Sequence, residues 1–177
     1  MRVAHSYQDL VAEGVHLAIR MGTLPESVFG ARKLVTLQRC LVAAPAYLKA
    51  RGTPRTPAAG AAHDCIFGPG GFDRDSWMFR RGNTVISVGV SGRVHTDSGA
   101  GMFAGVLAGL GIAIASTSMC RAALQSGELV LLLPQFGLAP VDVHPVFPGG
   151  PRRSAKVRAF ADYLAGSLGG EPASGGP

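Results

Sequence analysis

Histidine and cysteine are the side chains of this sequence that could bind a metal or act as base and nucleophile. The five histidines are His5, His16, His63, His95 and His144. No two of them have the spacing of metal ligands, and the three cysteines, Cys40, Cys65 and Cys120, form no C-x-x-C pair. We therefore predict no metal site, no cofactor and no disulfide framework, and we interpret the cysteines as small buried apolar residues.

The motifs that usually accompany catalysis or phosphate binding are incomplete in this chain. His63, Asp64 and Cys65 are consecutive, and neighbours on a strand point to opposite faces, so they form no catalytic triad by themselves. The glycine-rich segment 68–76 has no lysine for a phosphate-binding loop. Residues 109–111 (G-L-G) lie between a predicted helix and a predicted strand, the reverse of the order in a dinucleotide fingerprint. The sequence thus predicts a protein that is not an enzyme.

The composition is that of a folded chain without a membrane segment. Of the 177 residues, 47% are hydrophobic and 16% are charged, which suits one domain or two small lobes with a buried core. The net charge of +6 is scattered, and no basic segment is interleaved with aromatic residues, so direct nucleic-acid binding is weakly supported. The N-terminus has no apolar signal region, and glycines interrupt the longest apolar stretch, residues 102–115. These features predict a cytoplasmic location.

Strand and helix patterns alternate along the chain. The clearest strand signals are residues 33–44, 63–67 and 112–115, and a hairpin is expected around Gly82-Asn83. Alternation of this kind predicts an α/β fold with a largely parallel sheet.

Helix starts are marked by proline, aspartate or serine. Pro45 opens one or two turns that reach Arg51. Asp97 is predicted to cap a second helix, and Ser116 a third that runs to Leu124. The apolar stripe of the second helix consists of Phe103, Val106, Leu107 and Leu110. The most regular helical pattern covers residues 154–168.

Two connectors, near residues 52–63 and 134–140, divide the chain. A chain that leaves one lobe, builds a second and returns forms two lobes with a cleft, where small molecules bind. The predicted segments are a first lobe at residues 1–62, a second lobe at 63–136, a return to the first lobe at 137–168, and a disordered tail at 169–177.

Several short segments, taken in order, resemble the effector-binding domain of LysR-type transcriptional regulators. Residues 9–14 followed by 17–22 resemble the family's passage from a helix into a strand. Residues 42–48 (V-A-A-P-A-Y-L) resemble a strand and its short helix, and residues 108–112 (A-G-L-G-I) resemble part of the second lobe. The other matching segments are residues 31–34, 52–54, 63–65, 77–79, 88–93, 127–130 and 157–160. The resemblance rests on their order and spacing.

This resemblance implies an α/β fold of two Rossmann-like lobes with a central cleft, similar to type 2 periplasmic binding proteins. The implied function is to sense a small effector, expected to be a carboxylic acid, within a homo-oligomer (a dimer or tetramer) that regulates transcription. DNA would be bound only through a winged helix-turn-helix domain that this sequence lacks. The first strand and helix of the first lobe are also expected before Met1, so that lobe is incomplete.

The family pattern also implies which residues would contact the effector. They are Ser6, Arg20, Met21, Gly68, Phe72, Thr96 and Asp97. In open α/β sheets a crevice lies beyond the carboxyl ends of the strands, and helix N-termini there suit a carboxylate. Asp97 could instead be a plain helix cap, and Arg20 could pair with Glu13 or Glu26.

The sequence leaves three functions open besides effector sensing. A stand-alone solute-binding protein would need an export signal, and a small α/β enzyme would need a nucleophile and base or a metal cluster. A non-functional remnant of a regulator would melt without cooperativity.

Overall fold

The computed structural model describes residues 17–22, 33–69 and 75–146, together with residues 159, 160, 163, 164 and 166. In chain order the strands are β1 (Ala18–Met21), β2 (Val35–Leu37), β3 (Arg39–Ala43), β4 (Ile66–Phe67), β5 (Ser76–Arg81), β6 (Thr84–Gly89), β7 (Val94–His95), β8 (Ile112–Ser116), β9 (Val130–Leu132), β10 (Gly137–Leu138) and β11 (Val141–Val146). The helices are α1 (Pro45–Arg51), α2 (Gly99–Leu107) and α3 (Thr117–Ser126), with a short 3-10 helix at Ala58–Ala62.

The chain divides into two compact units. Unit 1 combines Met1–Thr36 with Val141–Pro177, and unit 2 is the continuous segment Leu37–Pro140. The sheet of unit 1 has the order β1-β11-β2, so β11, which comes last along the chain, is its central strand. β1 and β11 are antiparallel, with Arg20 opposite His144.

Unit 2 is built around β3, which is buried on both faces. β3 pairs antiparallel with β8 on one side and with β9 on the other. Leu41 and Ala43 point into one core with Trp77 and Phe79 of β5, and Cys40 and Val42 point into a second core that α2 and α3 cover. An unbroken apolar run is the expected sequence of a strand with both faces buried.

The hairpin of β5 and β6 agrees with its prediction. Arg81 lies opposite Thr84, which leaves Gly82 and Asn83 as a two-residue turn. Gly82 has a φ of +56°, in the left-handed region that such turns require. Trp77 is buried while Met78 is exposed, the alternation of a strand with one covered face.

The helices confirm two of the predicted starts and correct one. α1 begins at Pro45, and the Ser116 hydroxyl oxygen accepts a hydrogen bond from the Met119 N–H at the start of α3. For α2 the cap is Ser98, whose hydroxyl oxygen accepts from the Gly101 N–H. The prediction that Asp97 caps this helix is wrong, because the helix begins one residue later.

The apolar face of α2 also differs from the predicted stripe. Its buried residues are Met102, Gly105 and Val106. Leu107 is 37% exposed and Leu110 53% exposed, because α2 ends at Leu107 and the left-handed Gly109 turns the chain away.

A largely parallel sheet is also an incorrect expectation for the described strands. β3 is antiparallel to both of its neighbours, and β5 is antiparallel to β6 and β10. Parallel pairing joins β4 to β7, and a single parallel bridge joins Cys65 to Ile112. Alternating strands and helices set the fold class, but they do not fix the direction in which each strand enters its sheet.

The border between the units lies elsewhere than the predicted border between lobes. Residues 37–62, assigned from the sequence to the first lobe, belong to unit 2, as do residues 137–140. β3 sits between β8 and β9, and Tyr47 of α1 packs in the same core as Trp77. The proline-rich connector 52–57 therefore lies inside unit 2 and does not separate the units.

The ends of the chain are described only in part. The predicted tail at residues 169–177 lies outside the described residues, as do residues 9–14, which resemble the family's helix. Of the predicted helix 154–168, residues 159, 160, 163, 164 and 166 are described, and all five are helical. Within the described part of the chain, no helix is both long and apolar enough to span a membrane.

Candidate functional site

Two of the predicted contact residues meet at one edge of unit 2. β4 and β7 are parallel neighbours, with Phe67 opposite His95. Gly68 follows β4, Thr96 follows β7, and the Thr96 N–H donates to the Phe67 carbonyl oxygen at 3.0 Å. The carboxyl ends of two parallel strands therefore lie side by side, which is the place where open α/β sheets bind ligands.

The start of α2 adds hydrogen-bonding groups at this edge. The Thr96 hydroxyl oxygen accepts from the Ser98 N–H at 3.1 Å, and the Ser98 hydroxyl oxygen accepts from the Gly101 N–H at 3.2 Å. Thr96 and Ser98 thus form a tight turn that leads straight from β7 into the helix. The first N–H groups of a helix and its positive dipole end favour an anion.

Two glycines let β4 and α2 come this close. A Cβ atom at Gly68 would lie 2.6 Å from the Met102 sulfur, and one at Gly101 would lie 3.0 Å from the Thr96 hydroxyl oxygen. Gly68 therefore shapes the edge by allowing close packing, in addition to exposing its backbone there.

Asp97 lies beside this turn but contributes differently from the prediction. Its side chain is exposed, and the cap of α2 is Ser98. A carboxylate at this position would repel an anion at the helix start. Asp97 is thus a poorer candidate for binding an acid than Thr96 is.

The sequence analysis did not predict a stacked pair of rings, Phe67 and His95, at the same strand ends. The exposed His95 ring stacks on buried Phe67, with ring centres 4.7 Å apart and an angle of 19° between planes. The His95 Nε2 atom lies 3.1 Å from the Gly92 carbonyl oxygen. Only the pairing of β4 with β7 brings these rings together, and an isolated histidine in a sequence gives no sign of it.

In unit 1, Arg20 and Met21 follow each other on β1. Adjacent strand residues point to opposite faces, so the two predicted contacts do not share a face. Arg20 is half-buried and lies opposite His144, whereas Met21 is 43% exposed and lies opposite Val143. Arg20 and Met21 therefore lie on opposite faces of β1, although the family pattern implies that both contact the effector.

Polar groups of β2 and β11 surround the face that Arg20 occupies. The Thr36 hydroxyl donates to Asp142 Oδ1 at 2.5 Å, and Lys33 Nζ lies 3.6 Å from the same oxygen. These contacts lower the pKa of the Asp142 carboxyl, the Thr36 hydrogen bond most strongly, with smaller contributions from the charges of Lys33 and His144. None of these residues was predicted as a contact, because their pairing spans more than a hundred residues.

His144 has an unusual position on this face. Its Nδ1 atom is buried and has no hydrogen-bond partner in the part of the chain that the structure describes. A buried polar atom without a partner costs about 1–3 kcal/mol, and nearly all such atoms in native proteins are paired.

The two other predicted contacts, Ser6 and Phe72, lie outside the described residues. The candidate site residues that the structure describes are therefore Gly68, Thr96 and Asp97 in unit 2 and Arg20 and Met21 in unit 1.

Comparison with known proteins identifies the family. The model of the LysR substrate binding domain matches residues 2–169, and the chain belongs to this family. The family is a ligand-binding domain of transcriptional regulators and not a family of enzymes.

Individual relatives agree with this assignment. The chain is 30% identical over 153 residues to an uncharacterised HTH-type transcriptional regulator from Haemophilus influenzae. The matched region covers 86% of this chain and 53% of that protein. It is also 30% identical over 161 residues to the probable HTH-type transcriptional regulator LtrA of Klebsiella pneumoniae. This match covers 89% of this chain and 52% of that protein. The chain thus spans about half the length of the curated relatives it matches.

A solved structure shows the same similarity. The chain superposes on CrgA, a LysR-type transcriptional regulator from Neisseria meningitidis, with a TM-score of 0.75 and 26% sequence identity. The match covers 94% of this chain and 56% of that chain.

Proposed function

We propose that this chain is the effector-sensing part of a LysR-type transcriptional regulator and that it binds a small carboxylic acid. The observation that carries the proposal is the family match, which extends over residues 2–169. Control of transcription would then act through a helix-turn-helix DNA-binding domain of the kind that the relatives' names record.

The edge of unit 2 supports an acidic ligand. Gly68 and Thr96 lie at adjacent parallel strand ends, and α2 starts directly beyond Thr96. A carboxylate near the first turn of α2 would meet the positive end of the helix dipole. Arg20 in unit 1 is a separate candidate contact for an acid, because a guanidinium group can donate two parallel hydrogen bonds to a carboxylate.

Further features of the family are part of the proposal. They are two Rossmann-like lobes with a central cleft, for which units 1 and 2 are the candidates, a homo-oligomeric state (a dimer or tetramer), and a cytoplasmic location where DNA is accessible. A regulator of this kind responds to its effector only if the effector binds two arrangements of the protein with different affinity.

The test is a thermal melt of the chain with a panel of small aromatic and aliphatic carboxylic acids. The panel includes benzoate and succinate, each compared with its uncharged amide. A ligand that binds the folded state raises the melting temperature as its concentration rises. At one hundred times its Kd, the ligand increases the free energy of unfolding by about 2.7 kcal/mol. A cooperative melt that no acid shifts would contradict the proposal.

A pair of variants locates the site. Thr96→Val removes the hydroxyl at the start of α2, and Thr84→Val is the matched control, since Thr84 is an exposed threonine beside the β5–β6 hairpin turn and not at the strand ends next to α2. We expect Thr96→Val to weaken binding of the acid by about tenfold and Thr84→Val to leave it unchanged. Equal affinities of the two variants for the acid would show that Thr96 does not contact it.

A further inference from the structure

We propose that His144 and Arg20 together bind the carboxylate of the effector in unit 1, with His144 Nδ1–H as one donor and the Arg20 guanidinium as the other. This inference rests on the proposed function and adds a residue, His144, that neither the sequence pattern nor the family resemblance indicated.

The pairing of β1 with β11 places Arg20 and His144 close together. Arg20 lies directly opposite His144 in the antiparallel pair of β1 and β11. Directly opposed residues project from the same face of a sheet, with Cβ atoms about 4.5–5.5 Å apart. A guanidinium and an imidazole are thus close enough to contact the two oxygens of one carboxylate.

The His144 side chain has a hydrogen-bonding atom that a ligand could pair with. Nδ1 of His144 is buried and, among the described residues, has no partner. An imidazole that carries a proton on Nδ1 is a donor there, and a carboxylate oxygen is an acceptor of matching chemistry. An acid bound at this point would satisfy an atom that the folded chain leaves unpaired.

Asp142 does not take the place of the ligand. Its Oδ1 atom already accepts from the Thr36 hydroxyl and lies 3.6 Å from Lys33 Nζ. It is two residues from His144 on β11 and is drawn toward β2, the strand on the side away from β1. Lys33 thus pairs with the one carboxylate that the described part of this face carries, Thr36 donates a hydrogen bond to it, and Arg20 lies opposite His144 on the other side of β11.

Glu13 and Glu26, the alternative partners for Arg20, lie outside the described residues. Binding measurements distinguish a ligand role of Arg20 from a purely internal ion pair, because an internal pair stabilises the fold without changing the affinity for an acid.

The experiment measures Kd by calorimetry for benzoate and succinate, and for their amides, with the full chain and three variants. His144→Phe keeps a ring but removes both nitrogens. His144→Asn keeps an N–H donor near the position of Nδ1. Arg20→Met keeps an unbranched stem but removes the charge, and Arg80→Met, on the exposed face of β5, is its matched control.

We expect His144→Phe and Arg20→Met each to weaken binding of the acid by about tenfold or more, because each loses a hydrogen bond to a charged group. His144→Asn should retain affinity within about threefold, and Arg80→Met should not differ from the unaltered chain. The double variant His144→Phe/Arg20→Met should lose less than the product of the single losses, because both groups contact one carboxylate.

The possible failures are distinct. If the chain binds an acid but His144→Phe binds it equally well, the assignment of His144 is overturned and the proposed function stands. If His144→Phe weakens the binding of an amide as much as that of its acid, the effect is structural and the assignment is again overturned. If no acid of the panel binds to the unaltered chain, the proposed function and this inference are both overturned.

Discussion

The substitution Gly111→Ala tests a close approach of two chain segments in unit 2. A Cβ atom at residue 111 would lie 2.1 Å from the carbonyl oxygen of Asp64. The same oxygen accepts a hydrogen bond from the Ile112 N–H at 2.9 Å, and Cys65 forms a parallel bridge with Ile112. An added methyl group therefore forces these segments apart and breaks the hydrogen bond that joins them.

The cost of this change follows from the contacts. Ordinary contact with a Cβ atom begins at 3.4 Å, so the two backbones must separate by roughly 1 Å in a densely packed region. Overpacking of this kind costs about 1–3 kcal/mol, and loss of the hydrogen bond adds about 1 kcal/mol. We expect the free energy of unfolding to fall by about 2–4 kcal/mol, a large part of the 5–15 kcal/mol typical of a whole domain.

Urea denaturation followed by circular dichroism measures this loss. The matched control is Gly60→Ala, because a Cβ atom at Gly60 would meet no other atom within 4 Å and its backbone is in an ordinary region. Gly60→Ala should be neutral, or more stable by about 0.4–1 kcal/mol, through the reduced freedom of the unfolded chain. If Gly111→Ala unfolds at the same urea concentration as the unaltered chain, the described packing of β8 against the segment before β4 is wrong.

Three further predictions concern a helix cap, a histidine and a thiol. Ser116→Ala should lower stability by about 1 kcal/mol through loss of the α3 cap, and an unchanged melting temperature would contradict this. Burial, and then the charge of Arg51, lower the pKa of His63 below its usual 6.5, so stability should be constant above about pH 6.5 and decrease as the pH falls. A urea midpoint that does not change from pH 7 to pH 5 would refute that cause. Burial raises the pKa of Cys65 to about 12, so iodoacetamide at pH 8 should modify it only in urea, as mass spectrometry of the peptide can show.

Local patterns predicted the elements of unit 2 well, because each depends on few residues close in sequence. Gly82 and Asn83 fix the hairpin turn, Ser116 caps α3, and Pro45 opens α1. The cap of α2 was placed one residue early because Asp97 and Ser98 are both good capping residues, and only the path of the chain after β7 selects Ser98.

Features that depend on distant segments could not be predicted from local patterns. The prolines at 54 and 57 look like a linker, so the sequence places a lobe border near them, whereas β3 and Tyr47 pack in unit 2 with β8, β9 and β5. Similarly, Gly68 and Thr96 could be placed at strand ends from the sequence, but their adjacency depends on β4 pairing with β7. All seven predicted contact residues remain predictions, and two of them, Ser6 and Phe72, also lie outside the described residues.

The connectivity of unit 1 explains how an acid bound at Arg20 and His144 could influence the rest of the chain. β2 and β11 are neighbours in one sheet, and they are also the strands through which the chain passes into and out of unit 2. Thr36 is the last residue of unit 1 before unit 2, and Asp142 is the second residue after the return, so their hydrogen bond joins the two passages. His144 lies two residues further along β11. A ligand that fixes β11 against β1 therefore acts on the same strand that carries one of the two passages. Binding would favour the arrangement in which Arg20 lies opposite His144, and a sensing domain requires an effector that binds one arrangement more tightly than another.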